Sequence, residues 1–196
     1  MPTKRQPKVS RVAAGPRRTR VSGQMTRDAI ITAARKVLVD HGHAGFTLKR
    51  VADSIGISLG NLCYHFPTRV SLVEVLIDRT LQSYLGRFEA ILGRDPGDLS
   101  EALCKLLRWA MEDTVTPTYG RLFRELWALS LHDASIAAAM DKFYDESIEP
   151  VVRMLARGGD TEEARRVRDV VFLICAISEG SAVLFGTRRD AEIQFR

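Results

Sequence analysis

Side chains that could carry out catalysis are few in this 196-residue chain, and they are scattered. Ser178 and Ser181 lie in an apolar stretch, which is a poor place for a nucleophile, and no glycine-rich phosphate loop is recognisable. His41 and His43 flank a glycine without a third ligand nearby, so a helix end is the better interpretation of this pair. The sequence therefore predicts no enzymatic activity, no cofactor and no metal site.

The cysteines are too few and too widely spaced for a disulfide framework or a metal pair. Sparse cysteine is typical of a reducing compartment, so we expect a cytoplasmic protein. The longest apolar run, 170–177, is far shorter than the ~20 residues that span a bilayer, and we expect no membrane partner. The three cysteines are Cys63, Cys104 and Cys175.

The stretch from Phe46 to Leu72 carries the local signals of two short helices joined by a tight turn. Thr47 is a good N-cap for the first helix, and Gly56 ends that helix because glycine tolerates a positive φ. Ser58 caps the second helix, which ends at about His65. Two short helices joined by a three-residue turn with a glycine are typical of a helix-turn-helix.

Basic residues are concentrated on the N-terminal side of the chain. Residues 1–71 hold 13 Lys and Arg against three acids, whereas residues 72–196 hold 16 against 21. This asymmetry favours contact with a polyanion, although a solvated basic surface or affinity for an anionic membrane would give the same pattern. Residues 1–24 contain three prolines and seven basic residues but no acid, so we expect a disordered arm. The arm either lies along DNA or only keeps the chain soluble.

Helical spacing of apolar residues continues along the rest of the chain, and no convincing strand is present. The series favours an all-α fold of about eight or nine helices. Pro150 is expected to kink or split the helix in which it lies. The predicted helices are 26–42, 48–55, 58–65, 69–92, 98–115, 118–132, 134–157 and about 162–184.

The stretch 46–72 resembles the DNA-binding region of the TetR/AcrR family of transcriptional regulators, in which T-hydrophobic-x-x-I-A-x-x-A-G-V-S-x-G-x-L-Y-x-H-F-x-x-K-x-x-L is the commonest form. The resemblance is specific over residues 26–76, and beyond them it covers only the all-helical layout. Cys63 departs from the usual aromatic residue, and Leu59 from a residue that is often polar. The matching positions are Thr47, Leu48, Val51, Ala52, Gly56, Ile57, Ser58, Gly60, Leu62, His65, Phe66 and Leu72.

This resemblance implies an N-terminal three-helix DNA-binding domain, followed by a helical domain for ligand binding and dimerisation. Accordingly, we divide the chain into an arm at 1–24, a helix-turn-helix domain at 25–68, a ligand-binding and dimerisation domain at 69–187, and a tail at 188–196.

The resemblance and the side-chain chemistry together predict which residues contact DNA. The candidates for base edges are Leu59, Gly60, Asn61 and Tyr64. Asparagine can form two hydrogen bonds with adenine, and leucine can contact a thymine methyl group. Packing in the three-helix core is the alternative role for Tyr64 and His65. The candidates for phosphate contacts are Thr47, Lys49, His65 and Arg69.

The resemblance also implies a cavity inside the second domain, and aromatic side chains suit an apolar or amphipathic ligand. Each aromatic residue there could instead be ordinary core. Arg124, Glu125, His132 and Glu146 are possible polar anchors, although a surface position suits each of them better. The candidate ligand-binding residues are Trp109, Tyr119, Phe123, Trp127, Phe143 and Tyr144.

The last predicted helix is apolar almost all round from Val170 to Ile177, which indicates burial against a second subunit. The family usually dimerises through its last two helices, and the small residues Ser178, Gly180, Ser181 and Ala182 would let another helix approach. We thus expect a homodimer that reads a palindromic operator, most simply a repressor released by a small molecule. The alternative is a DNA-binding regulator without such a ligand, for example one that responds to oxidation of Cys63.

Overall fold

Side chains that bond to free backbone amides fix where several helices of this protein begin. In the computed structural model, the hydroxyl oxygens of Thr47, Ser58 and Thr68 each accept a hydrogen bond from the backbone N–H three residues later, at 3.2, 3.1 and 3.0 Å. Asp133 caps a further helix through its carboxylate. These four residues occupy the N-cap position, where Ser, Thr and Asp satisfy amides that the helix leaves free.

The structure describes residues 16–93, 95–114, 116, 119–156 and 161–185. Within these ranges the chain is helical, without a strand, which confirms the predicted all-α class. The arm residues 1–15 and the tail 188–196 lie outside the described ranges. The helices are α1 (Pro16–Gly45), α2 (Leu48–Ser54), α3 (Leu59–His65), α4 (Arg69–Leu92), α5 (Leu99–Thr114), α6 (Tyr119–Ser130), α7 (Ala134–Leu155) and α8 (Thr161–Phe185).

Two helix boundaries differ from the sequence prediction for clear physical reasons. Helix α1 begins at Pro16, ten residues before the predicted start, so residues 16–24 are helical rather than disordered. Proline is tolerated at the first helical position because the amide there has no partner within the helix. Helix α7 continues through Pro150, so the predicted split is absent. Burial of Val151, Val152 and Leu155 offsets the one hydrogen bond that the proline removes.

Gly42 and Gly56 both have a positive φ, which the sequence predicted for Gly56. Their φ angles are 68° and 69°. Gly42 bends the end of α1, and the backbone N–H of His43 then donates to the Glu125 carboxylate of α6 at 2.6 Å. Gly56 closes the turn between α2 and α3. A residue with a Cβ would be strained at either position.

One hydrophobic core joins the helix-turn-helix to the helices that follow it. It contains Phe46, Leu62 and Phe66 together with Leu72 of α4 and Leu122 of α6, all at most 2% exposed. A second core lies between the C-terminal end of α4 and helices α5, α7 and α8. The division of the chain at residue 68 remains a prediction, because α4 belongs to both cores.

Polar contacts reinforce the junction between α1 and its neighbours. Arg79 of α4 forms an ion pair with Asp28, and the Arg35 guanidinium lies 4.7 Å from the centre of the Tyr119 ring. The His43 ring also bonds to Glu125, with 2.9 Å between Nδ1 and Oε2. Helices α4 and α6 are therefore each tied to α1 by both apolar and polar contacts.

Helix α8 buries its small residues inside the chain and exposes large apolar ones. Ser178, Ser181 and Ala182 are at most 9% exposed, and the Ser181 hydroxyl contacts the sulfur of Met111. The expectation that these residues receive a second subunit's helix is therefore wrong, because helices α5 and α6 of the same chain already cover them. The exposed apolar side chains of α8 are Val170, Phe172, Leu173, Ile177, Val183 and Leu184.

Across the described residues, no helix combines the length and apolar character needed to cross a membrane.

Gly120 is required where α5 meets α6, and we predict that Gly120→Ala destabilises the fold by about 1–3 kcal/mol. A Cβ at this position would stand 2.1 Å from the carbonyl oxygen of Thr114, so the backbone would have to move. Gly86→Ala in α4 is the control, because its Cβ would meet no atom within 4 Å. Helix propensity should make this control more stable by up to about 1 kcal/mol. Equal unfolding free energies for the two variants in urea titrations would contradict the prediction.

Candidate functional site

Helix α3 projects its outer face into solvent while its inner face anchors the helix. Leu62 and Phe66 are almost fully buried beneath it. Tyr64 is 84% exposed and Leu59 is 44% exposed, and Gly60 and Asn61 are exposed as well. The four residues predicted to meet base edges therefore share one open surface, and the alternative that Tyr64 packs in the core is wrong. His65 is half-buried, with its ring edge-on to Tyr64 at 5.2 Å.

The residues predicted to contact phosphates lie at the helix ends around this surface. Thr47 and Arg69 are exposed at the first turns of α2 and α4, where free amides also favour an anion. The Lys49 amine lies 2.8 Å from the carboxylate of Asp53, so a phosphate would have to compete with that pair. Among the described residues, Arg69 forms no such ion pair with a carboxylate.

Arg27 is a basic residue at this surface that the sequence analysis did not identify. Its guanidinium lies 5.0 Å from the centre of the Phe66 ring, which places a positive charge from α1 beside the end of α3. In the sequence, the one indication of this role was that Arg27 lies one turn before Ile30, the first buried residue of α1.

A cavity of about 70 Å³ lies between helices α4, α5, α6, α7 and α8. Trp109, Phe123, Phe143 and Tyr144, four of the six predicted ligand-binding residues, line it. Tyr119 lies instead in a groove between α1 and α4. Trp127 lies in a more open groove on the outer side of α6 and stacks on Tyr144 at 5.7 Å.

Tyr84 of α4 is the centre of the aromatic wall, and the sequence analysis missed it. Its ring makes edge contacts with five other aromatic rings, at centroid distances from 5.3 to 6.0 Å. Phe88, one turn later, also lines the cavity. The i, i+4 spacing of these two rings could have indicated from the sequence that they share one face of α4.

The Tyr84 hydroxyl donates to a buried carboxylate. Asp113, which is 5% exposed, accepts from this hydroxyl at 2.5 Å and from the Arg87 guanidinium at 2.6 Å. Burial, together with the negative charge of Asp113, raises the pKa of Tyr84 far above its ordinary value. Arg87 packs against the Trp109 and Tyr119 rings at 4.7 and 5.1 Å, so the ion pair is enclosed by aromatic side chains.

Glu179 of α8 is the second carboxylate of the cavity wall, and it also lines the outer groove beside Trp127. It accepts a hydrogen bond from the Tyr144 hydroxyl at 2.8 Å. Burial raises the pKa of Glu179, and the Tyr144 hydroxyl and the Trp127 side chain only partly oppose that effect. Burial and the nearby charge of Glu179 also raise the pKa of Cys175 to about 11, so this thiol stays protonated at neutral pH.

The polar residues that the sequence suggested as ligand anchors do not line the cavity. They are Arg124, Glu125, His132 and Glu146. Arg124 donates to the carbonyl of Ala182 instead.

Cys63 is a half-buried free thiol in α3. No group of three or more potential metal ligands occurs within the described ranges.

Comparison with known proteins identifies relatives of this chain. Residues 30–76 match the model for bacterial regulatory proteins of the tetR family. An HTH-type transcriptional regulator of Xanthobacter autotrophicus is 27% identical over 161 residues, which are 80% of this chain and 77% of that protein. The regulator TtgR of Pseudomonas putida is 29% identical over 110 residues, 56% of this chain, and the match spans about half of TtgR, 52%.

Two solved structures share the fold. A transcriptional regulator from Pseudomonas aeruginosa PAO1 has a TM-score of 0.68 and 16% identity, covering 88% of this chain and 86% of its own. A regulator from Saccharomonospora viridis, solved in complex with choline, has a TM-score of 0.65 and 20% identity, covering 85% and 88%. At these identities the likeness concerns the fold alone.

We predict that Glu179→Gln raises the thermal stability of the protein at neutral pH. Because burial raises the folded-state pKa of Glu179 above its ordinary 4.5, ionisation costs more in the folded chain than in the unfolded chain. This cost is present above the folded-state pKa and disappears below the ordinary value, where both states are protonated. Glutamine removes the charge and keeps an oxygen for Tyr144.

Melting temperatures measured from about pH 4 to 7 should thus show a gap between variant and wild type that widens as the pH rises. Glu112→Gln, at an exposed carboxylate of α5, is the control and should show no such gap. A Glu179→Gln protein that melts below the wild type at neutral pH would refute the prediction.

Proposed function

Because this chain belongs to the tetR family of bacterial regulatory proteins, we propose that it is a repressor which binds a palindromic operator as a homodimer. A small apolar or amphipathic molecule in the cavity between α4 and α8 releases it from DNA. It acts in the cytoplasm, where its DNA target lies. The observation that carries this proposal is that α4 is separated from α3 by three residues and shares one hydrophobic core with it, whereas its later turns line the cavity.

Contact with DNA is supported by the exposed side chains of α3. Tyr64 and Asn61 offer hydrogen-bonding groups that the major groove can read, and Leu59 offers an apolar contact. Gly60 leaves open space in which the helix can approach the DNA closely, since its Cβ would contact only the Ser58 hydroxyl, at 4.0 Å. Arg69 supplies a positive charge at the edge of the same surface.

Coupling between the cavity and DNA follows from the position of α4. Leu72, in the first turn of α4, belongs to the core that also contains Leu62 of α3, whereas Tyr84 and Phe88 line the cavity. A ligand that displaces Tyr84 therefore shifts the helix that directly follows α3. For this to release DNA, the ligand must bind more tightly to the state in which the two recognition helices no longer fit successive major grooves.

Dimerisation is supported by the exposed apolar face of α8. Phe172, Leu173 and Ile177 are 59, 56 and 52% exposed, and Val183 and Leu184 extend the same surface. Contiguous apolar patches of this kind are typical of interfaces. Two copies related by a two-fold axis would bury this face against itself and would present two α3 helices to a palindrome.

Selection from random DNA tests the DNA-binding part of the proposal, and we expect it to enrich one palindrome whose binding weakens steeply with salt. Asn61→Ala and Tyr64→Ala should each cost about 1–3 kcal/mol on that site and relax the preference at one base position. Arg69→Ala should weaken all sequences alike and reduce the salt slope by about 1. Enrichment of no palindrome would contradict the proposal, as would an Asn61→Ala protein with unchanged preference.

The dimer is tested by placing charge on its proposed interface. A Leu173→Glu, Ile177→Glu double variant should sediment as a monomer and lose most of its affinity for the palindrome, because buried unpaired carboxylates disfavour association. Arg108→Glu, at an exposed position of α5, makes the same change in net charge away from the apolar face of α8 and should remain a dimer. A double variant that sediments as the wild type does would place the interface elsewhere.

A further inference from the structure

We propose that the cavity binds an organic cation, such as a quaternary or protonated tertiary ammonium, and that Glu179 selects for its positive charge. This inference rests on the proposed function, because it names the chemical class of the effector. It follows from the aromatic wall, from the balance of charge along the cavity and from the position of Glu179.

The cavity wall is rich in aromatic rings. Six rings from four helices line it, and ammonium groups are attracted to the faces of such rings through the ring quadrupole. Two of these rings already take part in this kind of interaction, because the Arg87 guanidinium lies 5.5 Å from the centre of the Tyr84 ring and 4.7 Å from that of the Trp109 ring. The six rings are those of Tyr84, Phe88, Trp109, Phe123, Phe143 and Tyr144.

The charged groups of the wall are all acidic. Asp113 and Glu179 line the cavity, and no Lys, Arg or His lines it among the residues that the structure describes. Arg87 compensates the charge of Asp113 through their 2.6 Å ion pair. The negative charge left without a cationic partner is therefore that of Glu179.

The surroundings of Glu179 favour a cation at this carboxylate. Among the described residues, the Tyr144 hydroxyl donates to it and the Trp127 side chain lies beside it in the groove, and both groups are neutral. Arg124, the basic residue of the adjoining outer groove, donates to the Ala182 carbonyl at 2.9 Å instead. A carboxylate removed from water without a countercharge costs folding free energy, and a bound cation would offset that cost.

The place of Glu179 also indicates how such a ligand would lie. The carboxylate belongs both to the cavity wall and to the outer groove lined by Trp127, Leu131 and Val183. A cavity of about 70 Å³ suits a compact headgroup rather than a large molecule. An ammonium group beside Glu179 could therefore keep an apolar tail in the groove.

Tetramethylammonium chloride and tert-butanol form a matched pair of probes, since they have similar size and shape but differ in charge. Binding to the full chain is followed through tryptophan fluorescence, because one of the chain's two tryptophans lines the cavity and the other lines the groove. We expect saturable binding of tetramethylammonium, at least tenfold tighter than that of tert-butanol. Sodium chloride at equal concentration controls for ionic strength.

Glu179→Gln should remove this preference for the cation while binding of tert-butanol stays unchanged. Glu112→Gln, on the exposed face of α5, should keep the preference. The inference is overturned if the two probes bind equally, if tetramethylammonium acts only as sodium chloride does, or if Glu179→Gln keeps the preference.

A DNA-release assay separates this inference from the proposed function. Release of the selected palindrome by neutral apolar compounds but not by ammonium compounds would overturn the inference and leave the proposed function standing. Glu179-dependent ammonium binding without any release of DNA would sustain the cation site and overturn the proposed mode of regulation.

Discussion

The continuity of helix α4 is the constraint on which the rest of this structure depends. All 24 residues from Arg69 to Leu92 form one continuous helix, which holds no proline and stays helical through Gly86. Its first turn is fixed by the Thr68 cap and by Leu72 in the core shared with α3, and its later turns carry Tyr84 into the cavity wall. A displacement of one end of α4 therefore also displaces its other end.

The two carboxylates of the cavity wall differ in how their charges are balanced. Asp113 forms an ion pair with Arg87 and accepts from the Tyr84 hydroxyl, which ties α4 to α5, whereas Nη1 of Arg87 is buried without a hydrogen-bond partner among the described residues. Breaking a buried pair of this kind is far more costly than its formation is favourable. Glu179 accepts from the neutral Tyr144 hydroxyl and has no ion pair within the part of the chain that the structure describes, so its charge is not compensated there. The first arrangement suits a structural role. The second suits a binding site, because a bound cation would balance the charge of Glu179.

Sequence reasoning was most successful where structure is determined locally. Thr47, Gly56 and Ser58 each act on atoms within a few residues, so the helix-turn-helix and its boundaries follow from their order. The cavity could not be derived in this way, because Tyr84, Asp113 and Glu179 come from three helices and meet only after packing. For the same reason the inward orientation of Ser178 and Ser181 was missed, since it depends on helices α5 and α6 lying over them.

The hydrogen bond from His43 to Glu125 has a consequence for the exchange of domains between regulators. Helix α1 ends on a carboxylate supplied by α6, and Phe46 shares a core with Leu122 of that helix. Helices α1 to α3 therefore do not form an independent unit that could be joined to another protein at residue 68. A working chimera would have to carry α4 and the matching face of α6 along with them. Recombination within such a family should accordingly preserve whole chains, and new specificities should arise by substitution at α3 or in the cavity.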